Sequence, residues 1–326
     1  MIKNLPQEVF NAIEKIDILK NRVDEITFIE QLLGGLTNRN YKITLGEENY
    51  VLRIPGEGTS LYIDRSVEMH NANITSRNGI NTEIIYFDEK TGIALTKYIE
   101  NAVTMHPESF VKDELVVEAT KVLKKLHSIG EEFKFTFDAF DGIDLYDDIL
   151  KRNNARLPDD YAETYKDLEI IRKVIKDKPV KLVPSHNDPL CENFISDSKK
   201  LYLIDWEYSG MNDPMWDLGA FSIEAGLTEH QEYMMMREYF DGYVTAANFG
   251  RMVINKVLID AYWTVWAIVQ IVYGKHENDY WPYAMGRYER FKKLIKSENF
   301  QKYLEAVKND SQKRVYFDAE AEAAAF

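Results

Sequence analysis

The chain has 326 residues, of which 45% are hydrophobic and 29% charged, a composition typical of a folded globular protein. With 54 acidic and 40 basic residues, its formal net charge of −14 argues against a general surface for nucleic acids or anionic membranes. The single cysteine, Cys191, excludes an intramolecular disulfide and fits a reducing cytoplasm.

The first hundred residues predict a small antiparallel sheet with one helix. β-type runs cover 26–35, 40–46 and 48–55, and turns rich in Gly and Asn separate them. A helix is predicted over 63–78, with Asp64 as its N-cap and Gly79 just past its end. Residues 82–99 then predict a hairpin that turns at Lys90–Gly92.

From about residue 107 the pattern becomes helical. The stretch 107–130 has apolar residues at helical spacing, and further helices are predicted near 145–177, 213–247, 250–275 and 281–308. Only 181–205 interrupts them, with a hairpin turning near Asp197–Lys200. The change of pattern near 99–106 predicts an α+β protein with two lobes, 1–100 and 101–326.

No uncharged stretch approaches the roughly 18–20 residues that span a bilayer. The most apolar segment, "AYWTVWAIVQIVY", predicts a core helix. The first residues lack the apolar core of a signal peptide, so a cytoplasmic protein without stable membrane insertion is expected.

Polar residues concentrate in "VPSHNDPLCENFI", residues 183–195, and in "LYLIDWE", residues 201–207. The predicted hairpin brings Asp205 back beside Asn193 and leaves the Asp188 carboxylate free to accept a proton. An amide oxygen and a carboxylate are ligands that Mg²⁺ accepts. A base and a divalent cation are what phosphoryl transfer needs.

Other polar residues of this segment fit structural roles. His186 is interpreted as a hydrogen-bonded organiser of the loop rather than as a catalytic base. Asp213 and Asp217 are interpreted as caps of the helix that begins near residue 214.

The predicted sheet offers a nucleotide clamp. Gly34 and Gly35 could let the backbone approach phosphates, although a Gly-Gly pair also fits an ordinary hairpin turn. Arg53 on a strand and Glu68 on the next helix match the ion pair that protein kinases form with Lys, although they could also be a structural ion pair. No P-loop motif is present, which disfavours a Walker-type enzyme.

"HNDPLCENF", "LIDWEYSG" and "DPMWDLG" resemble the choline kinase branch of the aminoglycoside phosphotransferase and choline/ethanolamine kinase superfamily, and bacterial choline kinases above all. The resemblance runs from "GGLTNRNYKI" through "IDRSVE" to the last aromatic helix. It implies a protein-kinase-like fold and an enzyme that uses ATP and Mg²⁺ to phosphorylate choline, a small-molecule substrate. It is compatible with a homodimer.

The resemblance also implies roles for single residues. Asp188 would orient or deprotonate the substrate hydroxyl, while Asn193 and Asp205 would hold Mg²⁺. Arg53, supported by Glu68, would contact a nucleotide phosphate. The remaining nucleotide-binding positions are those of the phosphate loop and of the hinge that binds adenine, namely Gly35, Thr37, Asn38, Asn40, Lys97, Tyr98 and Ile99.

Aromatic residues of the C-terminal half predict a site for the cationic group. Trp263 and Trp266 lie three apart, as do Tyr280 and Tyr283, which places each pair on one helix face. A quaternary ammonium has no N–H donor and binds ring faces, each worth about 0.5–2 kcal/mol. The family pattern matches the two Trp, Tyr283 and Glu224, although such spacing also fits a hydrophobic core.

Two departures from relatives bear on the substrate. Leu190 stands where eukaryotic choline kinases tend to have Gln, and Arg53 stands where many relatives have Lys. Ethanolamine, thiamine or an aminoglycoside are alternative acceptors. A non-catalytic module that senses a cation or nucleotide is a further alternative, but it would need a broken catalytic set.

Overall fold

The computed structural model of the chain describes residues 6–32, 38–56, 58–59 and 63–316. The predicted phosphate-loop residues Gly34, Gly35 and Thr37 lie outside these ranges. An antiparallel sheet forms the N-terminal lobe and helices dominate the rest, so the predicted two-lobed α+β class is confirmed.

The N-terminal lobe is built on five antiparallel strands in the order β1-β2-β3-β5-β4. The strands are β1 (Ile26–Leu32), β2 (Asn38–Leu45), β3 (Glu48–Pro55), β4 (Ile84–Phe87) and β5 (Ala94–Lys97). Two helices that the sequence did not predict, α1 (Gln7–Lys15) and α2 (Asp17–Lys20), precede them. They bury Val9, Ile13 and Leu19 in the same cluster as the sheet residues Ile43 and Leu52.

Helix α3 (Arg65–Arg77) begins and ends where the sequence predicts. The Asp64 side chain accepts hydrogen bonds from the backbone amides of Ser66 and Val67, as an N-cap does. Beyond its end, Gly79 has a φ of +65°, which glycine adopts at little cost. The helix buries Arg65 and Glu68.

The C-terminal lobe contains nine helices in the described part of the chain. They are α4 (Asp113–His127), α5 (Ala139–Arg152), α6 (Tyr161–Lys166), α7 (Leu168–Asp177), α8 (Pro214–Glu224), α9 (Glu229–Tyr239), α10 (Ala246–Val272), α11 (Glu277–Ile295) and α12 (Phe300–Lys308). The predicted spans 145–177, 213–247 and 281–308 therefore contain breaks. At one of them Gly226 has a φ of +61°, and at another Pro158 cannot continue a helix.

Helix α10 forms the centre of this lobe and packs against α5, α8, α11 and α12. By length and composition it could cross a membrane, alone among the helices in the described ranges. However, 89% of its most apolar stretch is buried inside the protein, which is also how a core helix of a soluble protein is placed.

Short strands carry the two polar motifs. β7 (Val183–Ser185) begins the first motif and pairs with β10 (Gly210–Asn212), which follows the second motif. β6 (Val103–Thr104), β8 (Phe194–Ser196) and β9 (Leu201–Leu203) form a small sheet. The predicted hairpin is the β8–β9 pair, and beyond it the Ile204 amide donates to the Asn193 carbonyl at 3.0 Å. Asp205 thus returns next to Asn193, as predicted.

Two helical glycines give opposite predictions for stability. A Cβ at Gly142 would lie 2.4 Å from Cε2 of the buried Tyr262, whereas at Gly286 it would meet no atom within 4 Å. We expect Gly142→Ala to destabilise the protein by about 1–3 kcal/mol through overpacking. The matched Gly286→Ala should stabilise it by up to about 1 kcal/mol. Urea denaturation of both variants measures the difference, and equal effects would contradict the packing described around α5.

Candidate active site

A buried carboxylate holds the loop that follows β7. Asp217, on α8, accepts hydrogen bonds from the backbone amides of His186 and Asn187, both at 2.8 Å, and from His127 Nε2 at 3.1 Å. The prediction that Asp217 caps α8 is therefore wrong, because its oxygens serve the loop. Asp213 does cap α8, accepting from the Met215 amide at 2.9 Å.

His186 organises the same loop, as predicted. Its Nε2 donates to the Ile204 carbonyl at 2.8 Å, which leaves Nδ1 to accept from the Asp188 amide at 3.3 Å. Burial lowers the pKa of His186, so the ring is neutral in this environment. The imidazole thus links the first polar motif to the second, and both of its nitrogens are used in these hydrogen bonds.

The Asp188 carboxylate has no hydrogen-bond donor among the residues that the structure describes. Burial, and then the negative charge of Glu224, raises the pKa of Asp188 to about 7, while Arg287 acts in the opposite direction. Glu224 and Arg287 therefore lie near enough to Asp188 for their charges to act on its carboxylate. A carboxylate with a pKa near neutrality is well matched to accepting a proton.

Asn193 ends a 3-10 turn formed by Cys191–Asn193. Its Nδ2 donates to the Asp188 backbone carbonyl at 3.0 Å, which orients the amide and leaves Oδ1 for another partner. Cys191 is 1% exposed, and burial raises the pKa of its thiol to about 12.

Asp205 stands in the left-handed region, with a φ of +67°, a conformation that Asp tolerates better than most residues. Its Oδ1 is buried, has no hydrogen-bond partner among the described residues and lies 3.9 Å from Arg53 Nη1. Burial and the neighbouring Glu207 raise the pKa of Asp205, while Arg53 lowers it. The anionic form is thus poorly stabilised by the protein alone, and a bound cation would correct this.

Three carboxylates could hold that cation. Glu68, Asp205 and Glu207 offer oxygens within 4.8 Å of one another. Glu68 already binds Arg53 at 2.5 Å and Arg65 at 2.6 Å, and Glu207 also binds Arg65 at 2.6 Å. Glu68 therefore uses both of its oxygens, whereas Glu207 uses only Oε1, for Arg65 and Asn38, and Asp205 accepts no hydrogen bond from the described residues. Asp205 and Glu207 thus have oxygens to spare, and an all-oxygen set fits Mg²⁺.

Glu207 and Arg65 were not among the predicted site residues. Both belong to quoted motifs, "LIDWEYSG" and "IDRSVE", but they are 142 positions apart in the chain, and nothing local indicates that they pair. Arg65 also donates to the Thr59 hydroxyl at 2.7 Å.

Three of the predicted nucleotide-binding side chains share one face of the sheet. Asn40 pairs with Arg53 across β2 and β3, and Asn38 lies two residues before Asn40. Asn38 Nδ2 donates to Glu207 at 3.1 Å, whereas its Oδ1 is buried without a partner in the described part of the chain. This face therefore turns toward the carboxylates that follow β9.

The predicted hinge, Lys97–Ile99, follows directly from β5. The Lys97 amide donates to Glu83 O at 2.8 Å and the Tyr98 amide to Asn49 O at 3.0 Å. The Ile99 amide has no backbone partner among the described residues. Of the three amides it is the one available to a ligand, so an amide-donated hydrogen bond from this hinge to adenine would come from Ile99.

The predicted aromatic residues form one cluster. The ring centroids of Trp263 and Trp266 are 5.2 Å apart, and those of Tyr280 and Tyr283 lie 6.0 and 6.4 Å from Trp266. Trp263 is buried, whereas Tyr283 is 39% exposed. Tyr208, which the sequence analysis missed, adds an edge-to-face contact with Trp263 at 5.2 Å.

Glu224 has a buried partner that the sequence analysis also missed. Arg287 Nη2 lies 2.5 Å from Glu224 Oε1, and the Arg287 guanidinium lies over the Tyr283 ring at 4.7 Å. Arg287 follows Tyr283 by four residues on α11, a spacing that puts both on one helix face. That spacing was the feature of the sequence that could have indicated Arg287 as a site residue.

Comparison with known proteins agrees with this geometry. The model of the choline/ethanolamine kinase family matches residues 29–257. A solved choline/ethanolamine kinase family protein from Mesorhizobium loti is 35% identical, with a TM-score of 0.83, over 93% of this chain and 99% of that one.

Three further matches, two solved structures and one sequence, are called LicA. Choline kinase LicA from Streptococcus pneumoniae is 29% identical, with a TM-score of 0.75 and coverage of 89% of this chain and 99% of that one. A structure of LicA in complex with AMP is 28% identical, with a TM-score of 0.69 and the same coverage. Protein LicA of Haemophilus influenzae is 28% identical over 301 residues, 89% of this chain and 84% of that protein.

The anchoring by Asp217 predicts a large effect of a small change. Asp217→Asn replaces one acceptor oxygen by an NH₂ group that would face an N–H donor in a site that is fully buried. We expect a loss of about 2–4 kcal/mol in the free energy of unfolding. Asp141→Asn, in the exposed first turn of α5, is the control and should change stability by less than about 1 kcal/mol. Thermal and urea unfolding measure both, and a stable Asp217→Asn variant would contradict the anchoring role.

Proposed function

Because this chain belongs to the choline/ethanolamine kinase family, we propose that it transfers the γ-phosphoryl group of ATP to the hydroxyl of choline, giving phosphocholine and ADP. The chain is a phosphotransferase that acts on an alcohol. The observation that carries the choice of choline is the aromatic cluster of Trp263, Trp266 and Tyr283, together with Glu224, whose charge also acts on Asp188.

The cluster suits a trimethylammonium group. Trp266 is partly buried and Tyr283 partly exposed, so their rings are available at the surface of a cluster whose base is Trp263. Glu224 Oε1 accepts a hydrogen bond from Arg287, whose guanidinium lies over the Tyr283 ring, so the Glu224 carboxylate lies near these rings. Ring faces and one carboxylate together attract a cation that has no N–H donor.

Asp188 would receive the hydroxyl group of choline. The hydroxyl oxygen forms a bond to the γ-phosphorus while the bond from that phosphorus to the β–γ bridging oxygen breaks, and the hydroxyl proton passes to the Asp188 carboxylate. The loop position of Asp188, fixed through His186 and Asp217, supports this role, because positioning supplies most of the catalysis in phosphoryl transfer.

The N-terminal lobe would bind ATP. The AMP complex of LicA supports nucleotide binding, and the Ile99 amide and the face formed by Asn38, Asn40 and Arg53 are the groups that we assign to it. Asp205 and the Asn193 amide oxygen would hold Mg²⁺, with Glu207 close by. When bound, Mg²⁺ neutralises the charge of the phosphates.

Ethanolamine is the second acceptor that the family name admits. A primary ammonium needs hydrogen-bond acceptors, whereas one Glu224 oxygen is already taken by Arg287. This favours choline over ethanolamine.

Turnover of a substrate panel tests the proposal. ADP release is measured with ATP, Mg²⁺ and choline, ethanolamine, thiamine or one aminoglycoside in turn. We expect the highest kcat/KM for choline, and a loss of about 10²–10⁴-fold in kcat for Asp188→Asn, in which a carboxamide replaces the proton acceptor. Higher kcat/KM for another acceptor, or full turnover by Asp188→Asn, would contradict the proposal.

Removal of one aromatic ring should change KM for choline but not KM for ATP. Trp266→Ala should raise KM for choline by about tenfold, since a partly desolvated cation–π contact contributes about 1–2 kcal/mol, and should leave KM for ATP unchanged. Trp281→Ala is the matched control, because the Trp281 ring lies against Arg156 at 4.0 Å instead. Steady-state kinetics measure all four constants, and an equal rise for choline and ATP would mean that Trp266 only packs.

The proposed metal ligand can be tested without turnover. Asp205→Ala should remain folded, because the Asp205 carboxylate accepts no hydrogen bond from the described residues, and should lose Mg²⁺-dependent activity. It should also lose most of the rise in melting temperature that ADP with Mg²⁺ produces in the unaltered protein. A full rise in the variant, or retained turnover, would refute the role of Asp205.

A further inference from the structure

Glu224 occupies a position at which a carboxylate needs a partner. It is the last residue of α8, where the helix dipole is negative, and its side chain is only 21% exposed. Arg287 supplies the positive charge at 2.5 Å, from the neighbouring helix α11. The orientation of the Glu224 carboxylate is therefore set by Arg287.

Arg287 is itself fixed from three sides. Besides Glu224, its guanidinium binds Asp260 on α10 at 3.1 Å and lies over the Tyr283 ring at 4.7 Å. Its side chain is 5% exposed, so it cannot exchange these partners for water. Asp260 is held in addition by Arg290, through two contacts of 2.6 Å.

The charges of these four side chains sum to zero. Glu224 and Asp260 carry two negative charges, and Arg287 and Arg290 carry two positive ones. The attraction of Glu224 for a bound cation is therefore partly opposed by Arg287, and one of its oxygens is already occupied. The occupied oxygen weakens the binding of a primary ammonium more than that of a quaternary one, because only the primary ammonium donates hydrogen bonds.

We propose that Arg287 is a positioning residue that makes the cation site select a quaternary over a primary ammonium group. Arg287 holds the Glu224 carboxylate beside the rings and offsets part of its negative charge, so that Glu224 attracts the bound cation less strongly. This inference rests on the proposed function, because it concerns the same cation site. Arg287 itself need not touch the substrate.

A purely structural role predicts a different result. If Arg287 only joined α8, α10 and α11, its loss would weaken the site for every acceptor alike. A change in the ratio of two acceptors distinguishes the two roles. KM for ATP serves as a further measure, because the contacts of Arg287 are with Glu224, Asp260 and Tyr283 and not with the proposed nucleotide-binding residues.

The test compares Arg287→Gln with Arg290→Gln, and kcat/KM is measured for choline and for ethanolamine. Arg287→Gln should lower the choline-to-ethanolamine ratio by about tenfold, as expected for loss of one charge-assisted hydrogen bond to Glu224, with KM for ATP unchanged. Arg290→Gln removes the same charge from the same helix and from the same Asp260, but its side chain is 47% exposed and not bound to Glu224, so the ratio should stay as it is. Equal loss for both acceptors, or the same shift in Arg290→Gln, would overturn the proposal.

A double variant shows whether Arg287 acts through Glu224. In a Glu224→Gln background, Arg287→Gln should change the ratio by less than about twofold. This pair also restores neutrality, so it tests the proposal even if Arg287→Gln alone does not fold. An undiminished shift in that background would overturn the proposal. Failure of the unaltered protein to phosphorylate either acceptor would instead refute the proposed function.

Discussion

The hydrogen bonds from two consecutive backbone amides to Asp217 determine where the polar loop lies. A buried carboxylate on a helix can take a fixed position only if its charge is compensated, and the amides of His186 and Asn187 together with His127 provide that compensation. In return, the loop is fixed relative to α8, and α8 also ends in Glu224. Helix α8 thus fixes the distance between Asp188, which would meet the hydroxyl of the acceptor, and Glu224, which would lie near its cationic group.

A second set of charges joins the lobes. Glu68 is shared by Arg53 and Arg65, and Arg65 reaches across to Glu207 in the C-terminal lobe, where Asn38 also binds. Two arginines face three carboxylates when Asp205 is included, which leaves one negative charge in excess in the cleft. That excess lies where we propose that Mg²⁺ and the phosphates of ATP bind.

The sequence predicted the strands of the N-terminal sheet, α3, the β8–β9 hairpin and the grouping of the aromatic residues, because each depends on local spacing or on a motif. Asp64 and Gly79 mark the two ends of α3 through local features, namely hydrogen bonds from the Asp64 side chain to the next amides and the positive φ of Gly79. The pairings of Arg65 with Glu207 and of Arg287 with Glu224 join segments 142 and 63 positions apart, and no local pattern specifies them. The role of Asp217 was misread for the same reason, since its position in the first turn of α8 suggests a cap while its partners come from another strand end.

The burial of Cys191 has a consequence for the chemistry of the environment in which the protein works. The thiol lies between Asp188 and Asn193 in sequence and is almost fully inaccessible, in surroundings that disfavour its thiolate. Peroxide and electrophiles react with thiolates, so the one thiol of this chain is protected although it lies in the loop that carries Asp188 and Asn193. Oxidation or alkylation of Cys191 in the folded protein should therefore be slow.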